Sequence, residues 1–190
     1  KLRPLNTLIQ IDVVDGKFAP YLTFGDPEVV AQSHPPPFEV DLMVEHPLEV
    51  VDPWIKAGAQ RIIFHLEVKD DPSLVIQAVK SHSKEVGMSL NPETPWQTLE
   101  PYLPLLDCVL FLGVHPGASG QKFIPEVLAK IKSFHLAYPA MPIEVDGGVT
   151  LENAKALVKA GATLLASASM IFKNQDILAN FRQAQKALEE

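Results

Sequence analysis

Cysteine is all but absent from this chain: Cys108 is the single one in 190 residues, so no internal disulfide can form. A reducing, cytoplasmic setting fits that composition. The thiol lies in the apolar run 103–114 and reads as a buried, inert group rather than a nucleophile. That run is the longest apolar stretch, and Pro104 and Asp107 interrupt it, so nothing is long enough to span a membrane. Positive charge is also scarce. With 16 lysines and arginines against 23 aspartates and glutamates, the net charge is −7, and no basic run or basic helix face is visible. Nucleic acid and anionic membrane are thereby excluded as partners, and a small anion would need a local site. Nothing reads as an interdomain linker. A hydrophobic content of 47% suffices for one sizeable core, so residues 1–190 are expected to form a single domain.

Short β-rich runs alternate with helix-like segments. Strands are expected at residues 8–14, 38–44, 61–67, 87–91, 108–115, 142–146 and 163–169, with amphipathic helices at 72–85, 125–137 and 151–160 among the connections. Thr150 reads as the N-cap of the last of these, with Asn153 and Lys155 facing water. Strict strand–helix alternation implies a parallel sheet. Two helix ends read almost alike, Lys56-Ala57-Gly58-Ala59 and Lys159-Ala160-Gly161-Ala162, each glycine a natural C-cap. They lie four strand–helix units apart, half of an eightfold repeat, which favours a closed (β/α)8 TIM barrel over an open doubly wound sheet. The eighth strand has no place except before Leu8, where residues 1–6 cannot hold both a strand and a helix. A first strand and helix are therefore expected to be missing from this chain, which does not begin with methionine. Unpaired edges on the first and last strands would invite another chain, so a homo-oligomer is one way to close the gap and a longer N-terminus is another.

The strongest local signal is Asp146-Gly147-Gly148, where the apolar run 142–145 opens into a glycine turn. Asp12 holds a similar place at the end of the first strand. Alternation puts Gln10, Asp12 and Val14 on one face, Glu39, Asp41 and Met43 on another, and Glu144 with Asp146 on a third. Buried acids in apolar strands need a partner or a metal, and three such rows at a barrel mouth would make a polar cluster where active sites of this architecture lie. The plainer alternative is that some of them face solvent or cap helices. His65 shares a face with Glu67 and reads as a hydrogen-bonded core residue, while His34, His46, His82 and His135 read as solvated surface positions. His115 ends a strand before the small-residue segment 116–120, which is either a lid or an ordinary turn. Gly147-Gly148 and Ala168-Ser169, which would end the last strand, follow the last two strands, where barrels of this class bind phosphate through backbone N–H groups.

Taken in order, Ile11-Asp12-Val13-Val14-Asp15-Gly16-Lys17-Phe18-Ala19-Pro20, Glu39-Val40-Asp41-Leu42-Met43-Val44-Glu45-His46-Pro47, Leu90-Asn91-Pro92-Glu93-Thr94-Pro95, His115-Pro116-Gly117-Ala118-Ser119-Gly120-Gln121-Lys122-Phe123 and Glu144-Val145-Asp146-Gly147-Gly148 resemble the ribulose-phosphate 3-epimerase family over about residues 8–172. The resemblance implies a (β/α) barrel that interconverts D-ribulose 5-phosphate and D-xylulose 5-phosphate by two-base proton transfer at carbon 3, with Asp12 and Asp146 as the acid–base pair. It also implies a divalent metal on the enediolate oxygens, held by two histidines and these two aspartates. Gln10 and Asp41 stand at the histidine positions, so the implied ligands Gln10, Asp12, Asp41 and Asp146 offer oxygen only, which favours Mg²⁺ or Mn²⁺ over Zn²⁺ or Fe²⁺.

The implied substrate and phosphate contacts are Met43, His115, Gly117, Gly120, Gly147, Gly148, Ala168 and Ser169. Further departures from the family pattern are Lys17 and Tyr21 for a histidine and an asparagine, Ala118 and Ser119 in the lid, and Ala168 for a glycine. The expected partner is a small phosphorylated sugar. Two rival readings are a catalytically altered barrel that binds such a ligand without epimerase activity, and another isomerase or aldol-type lyase. The second of these lacks an inward strand lysine of the Schiff-base kind.

Overall fold

The computed structural model describes residues 7–23, 25–117 and 120–189, so the expectation for residues 1–6 lies outside the described residues. In chain order its elements are β1 (Ile9–Val14), α1 (Pro27–Gln32), β2 (Phe38–Met43), α2 (Val51–Lys56), β3 (Arg61–His65), α3 (Pro72–Ser81), β4 (Glu85–Leu90), β5 (Cys108–Leu112), α4 (Glu126–Ala137), β6 (Ile143–Asp146), α5 (Leu151–Ala160), β7 (Leu164–Leu165), α6 (Ala168–Ile171) and α7 (Ile177–Glu189). The strands form one seven-stranded sheet in the order β1 to β7, and every neighbouring pair is parallel.

Side-chain alternation gives this sheet an inside and an outside. On β2 all six residues are buried, as a parallel sheet covered on both faces requires. Phe38, Val40 and Leu42 join the apolar layer shared with the helices, and so do Ile62 and Phe64 of β3 and Val109 and Phe111 of β5. Ile63, Cys108, Leu110 and Leu112 make a separate inner cluster. Gly87 creates the space for it, because a Cβ there would stand 2.6 Å from the Cys108 sulfur. Burial pushes the Cys108 thiol up to about 12, in keeping with an inert group.

The floor of the barrel is charged. Arg61 donates through Nη1 to Glu39 of β2 at 2.8 Å and to Glu144 of β6 at 3.2 Å, and through Nε to Glu85 of β4 at 2.9 Å. Glu39 and Glu144 therefore lie below the mouth, tied across the barrel, and do not join the acids above them.

Several boundaries differ from the sequence reading for local reasons. No α-helix joins β4 to β5: Pro92, Pro95, Pro101 and Pro104 leave two short 3₁₀ turns, Trp96–Leu99 and Leu103–Leu105. Helix α3 stops at Ser81 because Ser83 turns at φ 55°, and Glu85 then enters β4 opposite Arg61. Strand β7 has two residues, not seven. Among the described residues it pairs with β6 alone, and the Ser167 hydroxyl accepts from the Met170 N–H to start α6, so Ala168 and Ser169 are helical.

Both echoed glycines hold the expected left-handed conformation, Gly58 at φ 105° and Gly161 at φ 118°. His135, expected in solvent, instead lies against Gly161, where a Cβ would meet its ring at 2.3 Å. Asn153 does not face water either; its side chain accepts from the Thr150 N–H and donates to the Gly148 carbonyl.

β1 and β7 each have a single strand neighbour among the described residues, and a groove of about 1160 Å³ separates them. It occupies the place an eighth strand takes in a closed barrel. Among the described residues the architecture is thus that of a (β/α)8 fold with one part missing, as the alternation and the echoed helix ends predict.

Candidate active site

Asp12 is the middle residue of the inner row of β1 (Gln10, Asp12, Val14), Asp41 that of β2 (Glu39, Asp41, Met43), and Asp146 is the last residue of β6, so three inward acids reach the same level toward the C-terminal mouth. Parallel register puts Asp12 directly beside Asp41. Their carboxylates and that of Asp146 offer oxygens that all lie within 4.8 Å of one another. Gln10, one alternation below Asp12, donates its amide to Asp12 at 2.7 Å and to Asp146 at 3.1 Å. Asp41 is fully buried, while Asp12 opens to solvent through the groove beside β1.

A hard cation suits this arrangement. Both oxygens of Asp41 and Oε1 of Gln10 are buried without a hydrogen-bond partner among the described residues. Buried oxygen atoms left unpaired are costly, and coordination would satisfy them. Gln10 would serve as a ligand by turning its amide over, an assignment of oxygen and nitrogen that rests on the hydrogen-bond network.

The other sequence-derived residues gather above the acids. Met43, His115, Gly117, Gly120, Gly147, Gly148, Ala168 and Ser169 line one open cleft of about 810 Å³, together with Asp12 and Asp146. Ala118 and Ser119 lie outside the described residues. Its lining among the described residues includes no lysine or arginine, so an anion there would meet backbone N–H groups. Gly148 turns at φ 68°, and a Cβ on it would stand 2.5 Å from the Phe123 nitrogen, so the chain at Phe123 packs directly on the glycine turn. His115 lines the mouth and also pairs with Glu93 at 2.7 Å. Asp15, next in sequence to the site, shapes the loop after β1: its carboxylate accepts from the N–H groups of Lys17, Phe18 and Glu45.

Sequence reasoning missed Thr23 and Ser167 in the cleft wall, since neither stands in a motif that sets it apart. It saw His65 as a core residue without seeing its partners. His65 is fully buried, and its Nε2 lies 3.6 Å from Asp41 and its Nδ1 3.6 Å from Glu67. His46, expected in solvent, pairs with Asp70 at 2.9 Å.

Crowded acids shift one another. Burial, then Asp12 and Asp41, push Asp146 up to about 7. Burial in the mouth and the adjacent Asp41 raise Asp12 as well, even with its edge open to solvent. On the floor, burial and Glu39 push Glu144 up to about 9, so a proton stays on that pair. His65 rises to about 9, because Asp41 and Glu67 outweigh the burial that would lower it.

In the folded state these groups all titrate above their unfolded values, so folded protein binds more protons than unfolded chain from about pH 5 upward. Stability is complete below that window and is lost as pH rises through the folded values, about 7 for Asp146 and about 9 for Glu144 and His65. Asp15 and Glu67 are held low, so their contribution is lost only in acid. In chelator, the melting temperature is expected to peak near about pH 5 and fall toward about pH 9. A melting temperature that climbs over that range in scanning calorimetry would contradict these assignments.

Comparison with known proteins places the chain among relatives. The ribulose-phosphate 3-epimerase of Chlamydia trachomatis serovar D is 39% identical over 179 residues, 90% of this chain and 76% of that protein. The Bacillus subtilis strain 168 ribulose-phosphate 3-epimerase is 39% identical over 176 residues, 88% of this chain and 81% of its own length. Among solved structures, a 3-hexulose-6-phosphate synthase superposes with TM-score 0.65 at 22% identity, over 95% of this chain and 99% of that one. Orotidine 5′-phosphate decarboxylase from Pyrococcus horikoshii OT3 does so with TM-score 0.65 at 18% identity, over 100% and 90%. The two structural likenesses speak for the fold, and the two sequence likenesses go further. The ribulose-phosphate 3 epimerase family profile matches residues 5–172, a span that takes in every strand and the whole acid cluster, and this chain belongs to that family.

Proposed function

We propose that this protein interconverts D-ribulose 5-phosphate and D-xylulose 5-phosphate, with Asp12 and Asp146 as the two proton-transfer groups at carbon 3. The observation that carries the reading is the pair of inward carboxylates, Asp12 and Asp146, brought together at one barrel mouth and facing one cleft, where each can reach a substrate carbon as base or acid. One of the pair takes the proton from carbon 3 and the other returns one to the opposite face, which inverts that centre. Met43 and Leu112 supply an apolar wall beside the reacting carbons, and Val114, His115, Pro116 and Gly117 with Gly120 and Gln121 border the cleft and limit access of water. The phosphate rests against backbone N–H groups at Gly148, Ala168 and Ser169. Gln10, Asp12, Asp41 and Asp146 would hold a divalent ion, Mg²⁺ or Mn²⁺ by ligand hardness, and such an ion would supply positive charge where negative charge develops on the substrate oxygens.

Deuterium uptake at carbon 3 of D-ribulose 5-phosphate in D₂O tests this reading, run with Mg²⁺, Mn²⁺, Fe²⁺ or Zn²⁺ and with chelator. Metal-dependent uptake is the expected result. Tight binding of the sugar phosphate with no exchange under any metal would replace it with a ligand-binding barrel.

A further inference from the structure

Asp41 is a buried carboxylate that has lost the usual means of being held. Neither oxygen accepts a hydrogen bond among the described residues, and its side chain is fully buried. The ring of His65, two residues along β3 from its register partner Ile63, brings Nε2 to 3.6 Å from Asp41. His65 is itself gripped. Its far nitrogen faces Glu67 at 3.6 Å, and the Phe18 ring covers it at 4.7 Å between centroids. Glu67 is anchored in turn, because its other oxygen accepts from the Asn91 N–H at 3.0 Å and from the Thr94 hydroxyl. The result is a chain of contacts from the floor of the cleft to the end of β4: Asp41, His65, Glu67, then Asn91 and Thr94.

We propose that His65, braced by Glu67, is the positioning residue that holds Asp41 in place as a metal ligand. This rests on the reading above that Asp41 is one of the ligands. In many metal sites a carboxylate orients a ligating imidazole from behind, and losing that support typically weakens metal binding about 10–100-fold. Here the order is reversed, with an imidazole behind a ligating carboxylate. The arrangement answers two problems of a three-carboxylate site. It fixes the direction in which Asp41 presents its oxygens, and it closes the buried side of Asp41 with a ring that is itself held in place. Glu67, facing the far nitrogen, keeps the ring from turning and fixes which nitrogen meets Asp41.

The test is Mn²⁺ binding to the full chain, read by electron paramagnetic resonance of free and bound ion, for the unsubstituted protein, His65→Gln and Glu67→Gln. The melting temperature of each metal-free protein is measured alongside. The expected result is one bound Mn²⁺ in the unsubstituted protein and an affinity about 10–100-fold lower in both variants. Variants that melt earlier yet bind Mn²⁺ with unchanged affinity would make His65 a purely structural residue and overturn the inference while leaving the ligand reading intact. Should the unsubstituted protein bind no Mn²⁺, both fall together. If His65→Gln does not fold, Glu67→Gln decides, since Glu67 lies at the end of the chain of contacts and is partly open to solvent.

Discussion

Asp146→Asn is expected to lower turnover by about 10²–10⁴-fold while leaving the fold intact, the scale on which a positioned acid–base group contributes. Asparagine keeps the shape of the side chain and can still bond to the Gln10 amide, which now donates to Asp146 at 3.1 Å. What it cannot do is accept and release a proton. The substitution also relieves crowding, because it removes one of three carboxylates whose oxygens lie within 4.8 Å. The variant should therefore melt no earlier than the parent in chelator, even as its activity collapses. Steady-state conversion and carbon-3 exchange, measured on the same preparation, check the two halves together. An Asp146→Asn protein that retains full activity would remove Asp146 from the mechanism.

Arg61→Ala should cost the most stability, about 3–5 kcal/mol, since it strips the partner from buried carboxylates. Arg61 lies 13% exposed, and it meets Glu39 and Glu144, which are 4% and 3% exposed. The third contact, Glu85, is well exposed and adds little. Without the guanidinium, Glu39 joins Glu144 in having to take up a proton to stay buried. For a chain of this size the loss corresponds to a fall in melting temperature of about 6–20 °C. Adding Glu39→Gln and Glu144→Gln should return much of it, because the penalty lies in the charges left behind rather than in a bond lost. Thermal unfolding of the parent, Arg61→Ala and the triple variant makes the comparison, and a cost under about 1 kcal/mol for Arg61→Ala alone would mean that the floor is wet.

Much of the barrel was legible because period-two alternation and glycine-terminated helices are local properties. Asp12, Asp41 and Asp146 stood out as acids in apolar strands, and Gly147-Gly148 as a turn that few other residues could make. The contact between His65 and Asp41 was not legible, because it depends on the stagger of β2 against β3, which no single strand encodes. Arg61 was hidden for the same reason: its partners come from β2, β4 and β6, up to 83 residues away. The last strand was over-read because Thr163 to Ser169 keeps a strand-like composition even where Ser167 turns the chain into a helix. The missing helix between β4 and β5 shows the reverse error, an expectation of regularity overridden by four prolines.

The strand order has a consequence for how this molecule comes apart. Each strand pairs with its neighbours in sequence, so each pairing closes a short loop and costs little chain entropy. Among the described residues β1 and β7 are the outer strands, and in such a sheet local opening free energies should rise from those two strands inward. Asp12 rides on one of those outer strands, while Asp41 and Asp146 sit further in. The acid cluster is therefore joined across a boundary between the more and less persistent parts of the molecule, and fraying of β1 dismantles it before the core has begun to unfold.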